Sequence, residues 1–113
     1  MKQVFYVPER GDVIRIGPAR PAMGAEVASR RAMAVITPQA YNARVGLAIA
    51  CPISSRVLGY PFEVAVPPDL PFVGAVLADQ AESLDWRAAR AEKIGALPAE
   101  AIEEVLGKLR ALL

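Results

Sequence analysis

The 113-residue chain contains no histidine. That removes the side chain that most often moves protons near neutral pH, and with it the commonest ligand of a catalytic zinc. It has one cysteine, Cys51, so no internal disulfide can form, and its place in the apolar run of residues 47–51 marks it as a buried structural thiol. No apolar run approaches the ~18 residues a membrane-spanning helix needs. The opening residues meet Glu9 and Arg10 before the apolar stretch of a secretion signal could develop, so a cytoplasmic location is expected. There is no Cys/His cluster, no Gly-x-x-x-x-Gly-Lys loop and no Gly-x-Ser-x-Gly elbow, and scattered acids such as Asp79 and Asp85 do not make a magnesium site. No catalytic metal and no cofactor are expected.

What the chain does have is apolar bulk and unevenly placed charge. Its length suits one domain, residues 1–113, with a single core. Apolar residues make up 54% of it, above the globular norm of roughly 45–50%. The surplus suggests surface kept for a partner, and a second copy of the chain is the simplest one. The net charge is only +1. Residues 1–60 carry eight basic side chains against three acidic ones, a balance of +5, whereas residues 61–113 carry five against nine, a balance of −4. Seven of the eight N-terminal cations are arginine, the side chain suited to two-pronged phosphate contact. An ordinary solvated surface would look the same, so both readings stand on charge alone.

Punctuation by glycine and proline divides the chain into short pieces. Residues 13–16 read as a first strand after the Gly11-Asp12 turn, and 17–30 as a long loop. A second strand over 33–37 is stopped by Pro38, and 39–44 forms a short helical turn. The continuous apolar run 46–53 predicts a central strand with Pro52 at its end or at a bulge. Further strands are predicted over 60–66 and 73–78, separated by a proline-rich turn. Several short strands in close succession indicate a small, mainly β barrel. At the C-terminus the period changes: Ile102, Val105, Leu106, Leu109, Leu112 and Leu113 form one helical stripe. Pro98 suits its first turn, with acids early and bases late as the helix dipole prefers.

The candidate site lies where the long loop meets the second strand. In Gly24-Ala-Glu-Val-Ala-Ser-Arg-Arg31 a glycine-bearing loop brings Glu26 and Arg31 to a strand mouth, and Ser54-Ser55 ends the central strand. A carboxylate, a guanidinium and hydroxyls at strand ends suit phosphate chemistry. Gln80 carries an amide suited to base edges or to a buried hydrogen bond, and Tyr6, Tyr60 and Trp86 suit either base stacking or packing.

Whole segments of the chain resemble the MazF/PemK family of toxin endoribonucleases. The matching stretches are Tyr6-Val-Pro-Glu-Arg-Gly-Asp12, Gly24-x-Glu26, the Arg31 strand ending in Thr37-Pro38, Tyr41-Asn42, Gly59-Tyr-Pro-Phe-Glu-Val64, Leu77-Ala-Asp-Gln80 and Trp86-Arg87. They cover nearly the whole chain in the family's order. The resemblance implies an SH3-like barrel with a terminal α-helix, a homodimer, and single-stranded RNA bound along the dimer interface. It implies sequence-specific, metal-independent cleavage to a 2′,3′-cyclic phosphate and a 5′-hydroxyl. A groove that holds a polyanion can also take a flexible acidic peptide, so the expected inhibitor is an antitoxin whose disordered, acid-rich tail fills the RNA groove. The resemblance assigns catalysis to Arg31 and Ser54. Glu26 is the candidate acceptor of the 2′-OH proton, with orienting Arg31 or contacting a base as its other readings, and Arg30, Ser55, Arg56 and Gln80 are the expected RNA contacts. Two positions depart from the family pattern: Ala32 follows the arginine where proline is common, and Ser54 stands for threonine. Two other readings of the same fold are a non-catalytic, gyrase-binding toxin and a peptide-binding SH3-like module.

Overall fold

A computed structural model describes residues 6–17 and 31–113. Its elements in chain order are β1 (Asp12–Ile16), β2 (Arg31–Val35), α1 (Gln39–Val45), β3 (Ala48–Ser54), β4 (Glu63–Ala65), β5 (Ala75–Leu77), a single 3₁₀ turn (Ala78–Gln80), β6 (Glu82–Leu84), β7 (Glu92–Ala96) and α2 (Ala99–Leu112). All the strand pairings are antiparallel, in the spatial order β4-β5-β3-β2-β1-β7, with β6 also paired to β3. The protein is mainly β with a C-terminal helix, as expected.

β1, β2 and β3 are apolar on both faces because both faces are covered. Val13, Ala34 and Cys51 point into one core, which also holds Val64, Val76 and the Ile102 and Val105 side chains of α2. Ile14, Met33, Val35 and Ala50 point the other way, into a second cluster with Leu84 and Trp86. Strands packed on two sides lose the polar alternation of a half-solvated sheet, which is why they read as continuous apolar runs. The two ends of the sheet approach through side chains: the ring of Phe72, in the β4–β5 connection, lies over Gly95 of β7, where a Cβ would stand 2.6 Å from its Cε1.

Pro52 sits inside β3 rather than at its end or at a bulge. Met33 faces it across the β2–β3 ladder. Ile36 N–H donates to the Ile49 carbonyl at 2.9 Å, which makes that pair hydrogen-bonded, and alternation then makes Met33–Pro52 a non-hydrogen-bonded pair. The proline nitrogen therefore faces away from β2. On that other edge of β3, β6 pairs with residues 48–50 and β5 with 53–54, so the missing N–H falls where one partner strand gives way to the next.

The predicted strand over 60–66 shortens to Glu63–Ala65, and the one over 73–78 to Ala75–Leu77. β6 and β7 were not predicted. In α2, Ala101, Ile102 and Val105 are buried, each large apolar side chain contributing roughly 1.5–3 kcal/mol, but Leu112 and Leu113 are exposed. The last turn of the stripe overhangs the core instead of packing on it. No helix among the described residues is long and apolar enough to cross a membrane.

Candidate active site

Arg31 is the first residue of β2 and Ser54 the last of β3. Met33 faces Pro52, so the same antiparallel register carried two residues outward sets Arg31 opposite Ser54. Ile16 flanks Arg31 on the other side, and Ala75 flanks Ser54. Two of the expected site residues thus share one end of the sheet, on adjacent strands.

The Ser54 side chain is half-buried, and its Oγ accepts the Arg56 N–H at 3.1 Å. That turn uses the hydroxyl as an acceptor and leaves its proton to donate elsewhere. The backbone beneath it is fixed by Gly74. At φ +125° that residue lies so close that a Cβ would stand 1.8 Å from the Ser54 carbonyl oxygen.

The following loop is tied from two sides. The Glu63 carboxylate accepts the N–H groups of Leu58 and Gly59, at 2.8 and 2.7 Å, and Lys108 of α2 donates its Nζ to the Pro61 carbonyl. Ser55 and Arg56 are exposed on this loop.

Arg31 is exposed, and its guanidinium meets a residue the sequence reading did not single out. Nη2 lies 3.0 Å from Oε1 of Glu82 and Nη1 3.5 Å from Oε2, a two-pronged pair. The side chains are 51% and 43% exposed, so solvent screens it and its net worth is about 0–1 kcal/mol. Glu82 opens β6, facing Ala50. Nothing in the sequence links two residues 51 positions apart, and the only signal was an acid beside short apolar and aromatic residues.

Gln80 is exposed at the end of the 3₁₀ turn, which removes the reading of it as a buried hydrogen-bonder. Beside it, the Tyr60 hydroxyl donates to Asp79 Oδ1 at 2.7 Å, and this bond is the main reason that its pKa is raised. Trp86 is packing: it is buried, and its Nε1 donates to the Asn42 carbonyl at 3.1 Å. Tyr6 is tied into the structure as well, donating its hydroxyl to the buried Asp12. Cys51 is buried, and burial pushes its thiol up to about 11. Glu26 and Arg30 lie outside the described residues. A groove of about 520 Å³ lined by Arg44, Gly46, Trp86 and Arg87 lies toward the Ala48 end of β3, away from Ser54. Among the described residues no group of three or more His, Cys, Asp or Glu side chains is placed to hold a metal.

The profile of the PemK-like, MazF-like toxins of type II toxin–antitoxin systems matches residues 9–113. The chain belongs to this family. It is 35% identical over 108 residues to the endoribonuclease toxin MazF of Escherichia coli K12, covering 96% of both chains. It is similar to the chain in a crystal structure of MazE–MazF from Deinococcus radiodurans, with 44% identity, 96% of both chains covered and a TM-score of 0.85. A mycobacterial endoribonuclease in complex with its cognate antitoxin shares the fold at a TM-score of 0.73, with 21% identity over 92% of each chain. The family membership agrees with the resemblance carried by the sequence segments, and the MazF structures share the mainly β fold with its terminal helix.

Proposed function

We propose that this MazF-like endoribonuclease toxin cleaves single-stranded RNA, at specific sequences and without a metal, leaving a 2′,3′-cyclic phosphate and a 5′-hydroxyl. The observation that carries the assignment of the site is the placement of Arg31 and Ser54 at one solvent-open end of neighbouring strands.

In this reaction a ribose 2′-oxygen attacks the adjacent phosphorus. The new O2′–P bond closes the cyclic phosphate as the P–O5′ bond breaks. The 2′-OH proton goes to a base, and the departing 5′-oxygen takes up a proton. Negative charge builds on the phosphoryl oxygens meanwhile, and the Arg31 fork neutralises it with two N–H bonds while the Ser54 hydroxyl donates a third. Arginine stays protonated, so it is not the base. We assign that role to Glu26, five residues before Arg31 in the sequence. Arg30, Ser55 and Arg56 contact the RNA backbone and Gln80 a base edge.

The working unit in this proposal is a cytoplasmic homodimer with RNA along the subunit interface. The natural inhibitor is an antitoxin with a disordered, acid-rich tail, which presents repeated negative charge to the same groove. Incubating the purified protein with a long RNA and mapping the ends tests the reaction. Discrete cuts bearing cyclic phosphates are expected, with activity lowered by ~10²–10³ or more in Arg31→Ala, the usual worth of one such donor. Uncut RNA with intact binding to DNA gyrase would favour the non-catalytic toxin instead. Inhibition by the antitoxin tail should be competitive with RNA; undiminished potency against RNA-saturated enzyme would place the tail elsewhere.

A further inference from the structure

The partner of Arg31 has a consequence for substrate binding. Glu82 offers the guanidinium two oxygens along one edge, the same pattern that a phosphodiester presents. The fork is thus already occupied, by a carboxylate at 3.0 and 3.5 Å. The position of that carboxylate matters as much as its charge. Glu82 faces Ala50, four residues before Ser54 along β3, whereas Arg31 starts from the Ser54 end of the ladder. An arginine paired with Glu82 therefore leans back along β3, away from the hydroxyl with which it would share a phosphate.

We infer that Glu82 sets the affinity for RNA by holding the Arg31 fork in a withdrawn position that the scissile phosphate must take over. This rests on the reading of Arg31 as the phosphate-binding residue. Both members of the pair are about half exposed, so the exchange of carboxylate for phosphate is open to the substrate without unfolding any element. An exposed ion pair is weak enough to yield, and a phosphate also bonded to Ser54 offers more than a carboxylate alone. Glu82 is a positioning residue here, acting on RNA only through Arg31.

The prediction separates this role from the general attraction of RNA to a less acidic surface. Glu82→Gln removes the charge and keeps the shape. Glu82→Asp keeps the charge but draws it back by one methylene. Binding is measured with an RNA carrying a 2′-deoxy sugar at the mapped cleavage site, so that it cannot be cut. Both variants should bind about two- to fivefold more tightly than the parent, the range expected when a screened pair no longer competes, with a matching fall in KM and little change in kcat. In an Arg31→Ala background the two substitutions should no longer tighten binding through the fork, so Glu82→Asp should be silent there. The inference is overturned if Glu82→Asp leaves RNA binding unchanged or weakens it, or if Glu82→Gln tightens binding equally with and without Arg31. Retained cleavage in Arg31→Ala alone would instead sink the assignment of Arg31, so the two failures are distinguishable.

Discussion

The α-carbon of Gly74 lies against the carbonyl of Ser54, with no room between them for a single methyl group: a Cβ there would stand 1.8 Å from the oxygen and 3.1 Å from the Ser55 Cα. β5 thus buttresses the end of β3 from the side opposite β2. The backbone carrying the candidate hydroxyl is fixed by a residue that itself takes no part in chemistry.

Gly74→Ala should therefore cost both stability and activity. The φ of +125° strains any side chain, at about 1–3 kcal/mol, and the clash must push the Ser54–Ser55 backbone outward. A lowered denaturant midpoint and a loss of cleavage exceeding that of Ser54→Ala are expected. Full cleavage by a folded Gly74→Ala protein would show that the position of the Ser54 backbone is immaterial.

At the other strand, Arg31→Lys should be nearly as poor as Arg31→Ala, because a point charge cannot replace two parallel N–H bonds. Ser54→Ala should cost less than either, since it removes one hydrogen bond rather than the main charge. Ser54→Thr should be tolerated, as the hydroxyl is kept and the added methyl restricts its rotamers. Single-turnover cleavage of one defined RNA ranks the four variants; a larger loss in Ser54→Ala than in Arg31→Ala reverses the assignment.

Cleavage should persist in excess chelator, because the guanidinium and hydroxyl donors supply the charge neutralisation that a metal would otherwise give. It should fall as salt rises, since cations must be displaced from the RNA for each arginine contact made. A flat salt profile, or activity lost to chelator and restored by magnesium, would contradict this.

Alkaline pH should destabilise the protein before it alters the site. Burial, then the bond to Asp12, raises the Tyr6 pKa above its ordinary value of 10.0. Burial likewise carries Cys51 from 9.0 to about 11. In both cases the folded state keeps a proton that the unfolded chain loses, so stability is whole below about pH 9 and falls as pH rises past it. Tyr6→Phe should flatten the limb above pH 10. At pH 7 it should lose about 1–3 kcal/mol, since Asp12 gives up a buried hydrogen bond. Urea melts at pH 7, 9 and 10.5 measure both effects; an unchanged alkaline slope in Tyr6→Phe assigns the limb to other groups.

The strands that carry the core were legible because both of their faces are apolar, and α2 because its stripe keeps helical spacing. β6 and β7 were not. Glu82-Ser-Leu84 is three residues long with one buried position, and Glu92-Lys-Ile-Gly-Ala96 is exposed or half-exposed throughout, so neither carries an apolar pattern. The stretch from Tyr60 to Phe62 reads in the sequence as the start of the strand over 60–66. It is instead a turn in which the Glu63 N–H donates to the Tyr60 carbonyl and Lys108 to that of Pro61, the second a contact that no local pattern encodes. Pro52 was misplaced because the edge it faces is decided by the register of two other strands. In the candidate site, Arg31 and Ser54 could be named through the resemblance to the toxin family, whereas Glu82 belongs to the tertiary fold alone.

The seam between Phe72 and Gly95 also bears on how this sequence can change over generations. A ring seated on a bare α-carbon makes two distant positions a single unit of inheritance. If residue 95 gains a side chain first, the ring is driven aside and the ends of the sheet lose their contact. If residue 72 is shortened first, the space opens and a larger residue 95 can occupy it. Either single change loosens the two ends of the sheet, and only the first adds a clash to that loss.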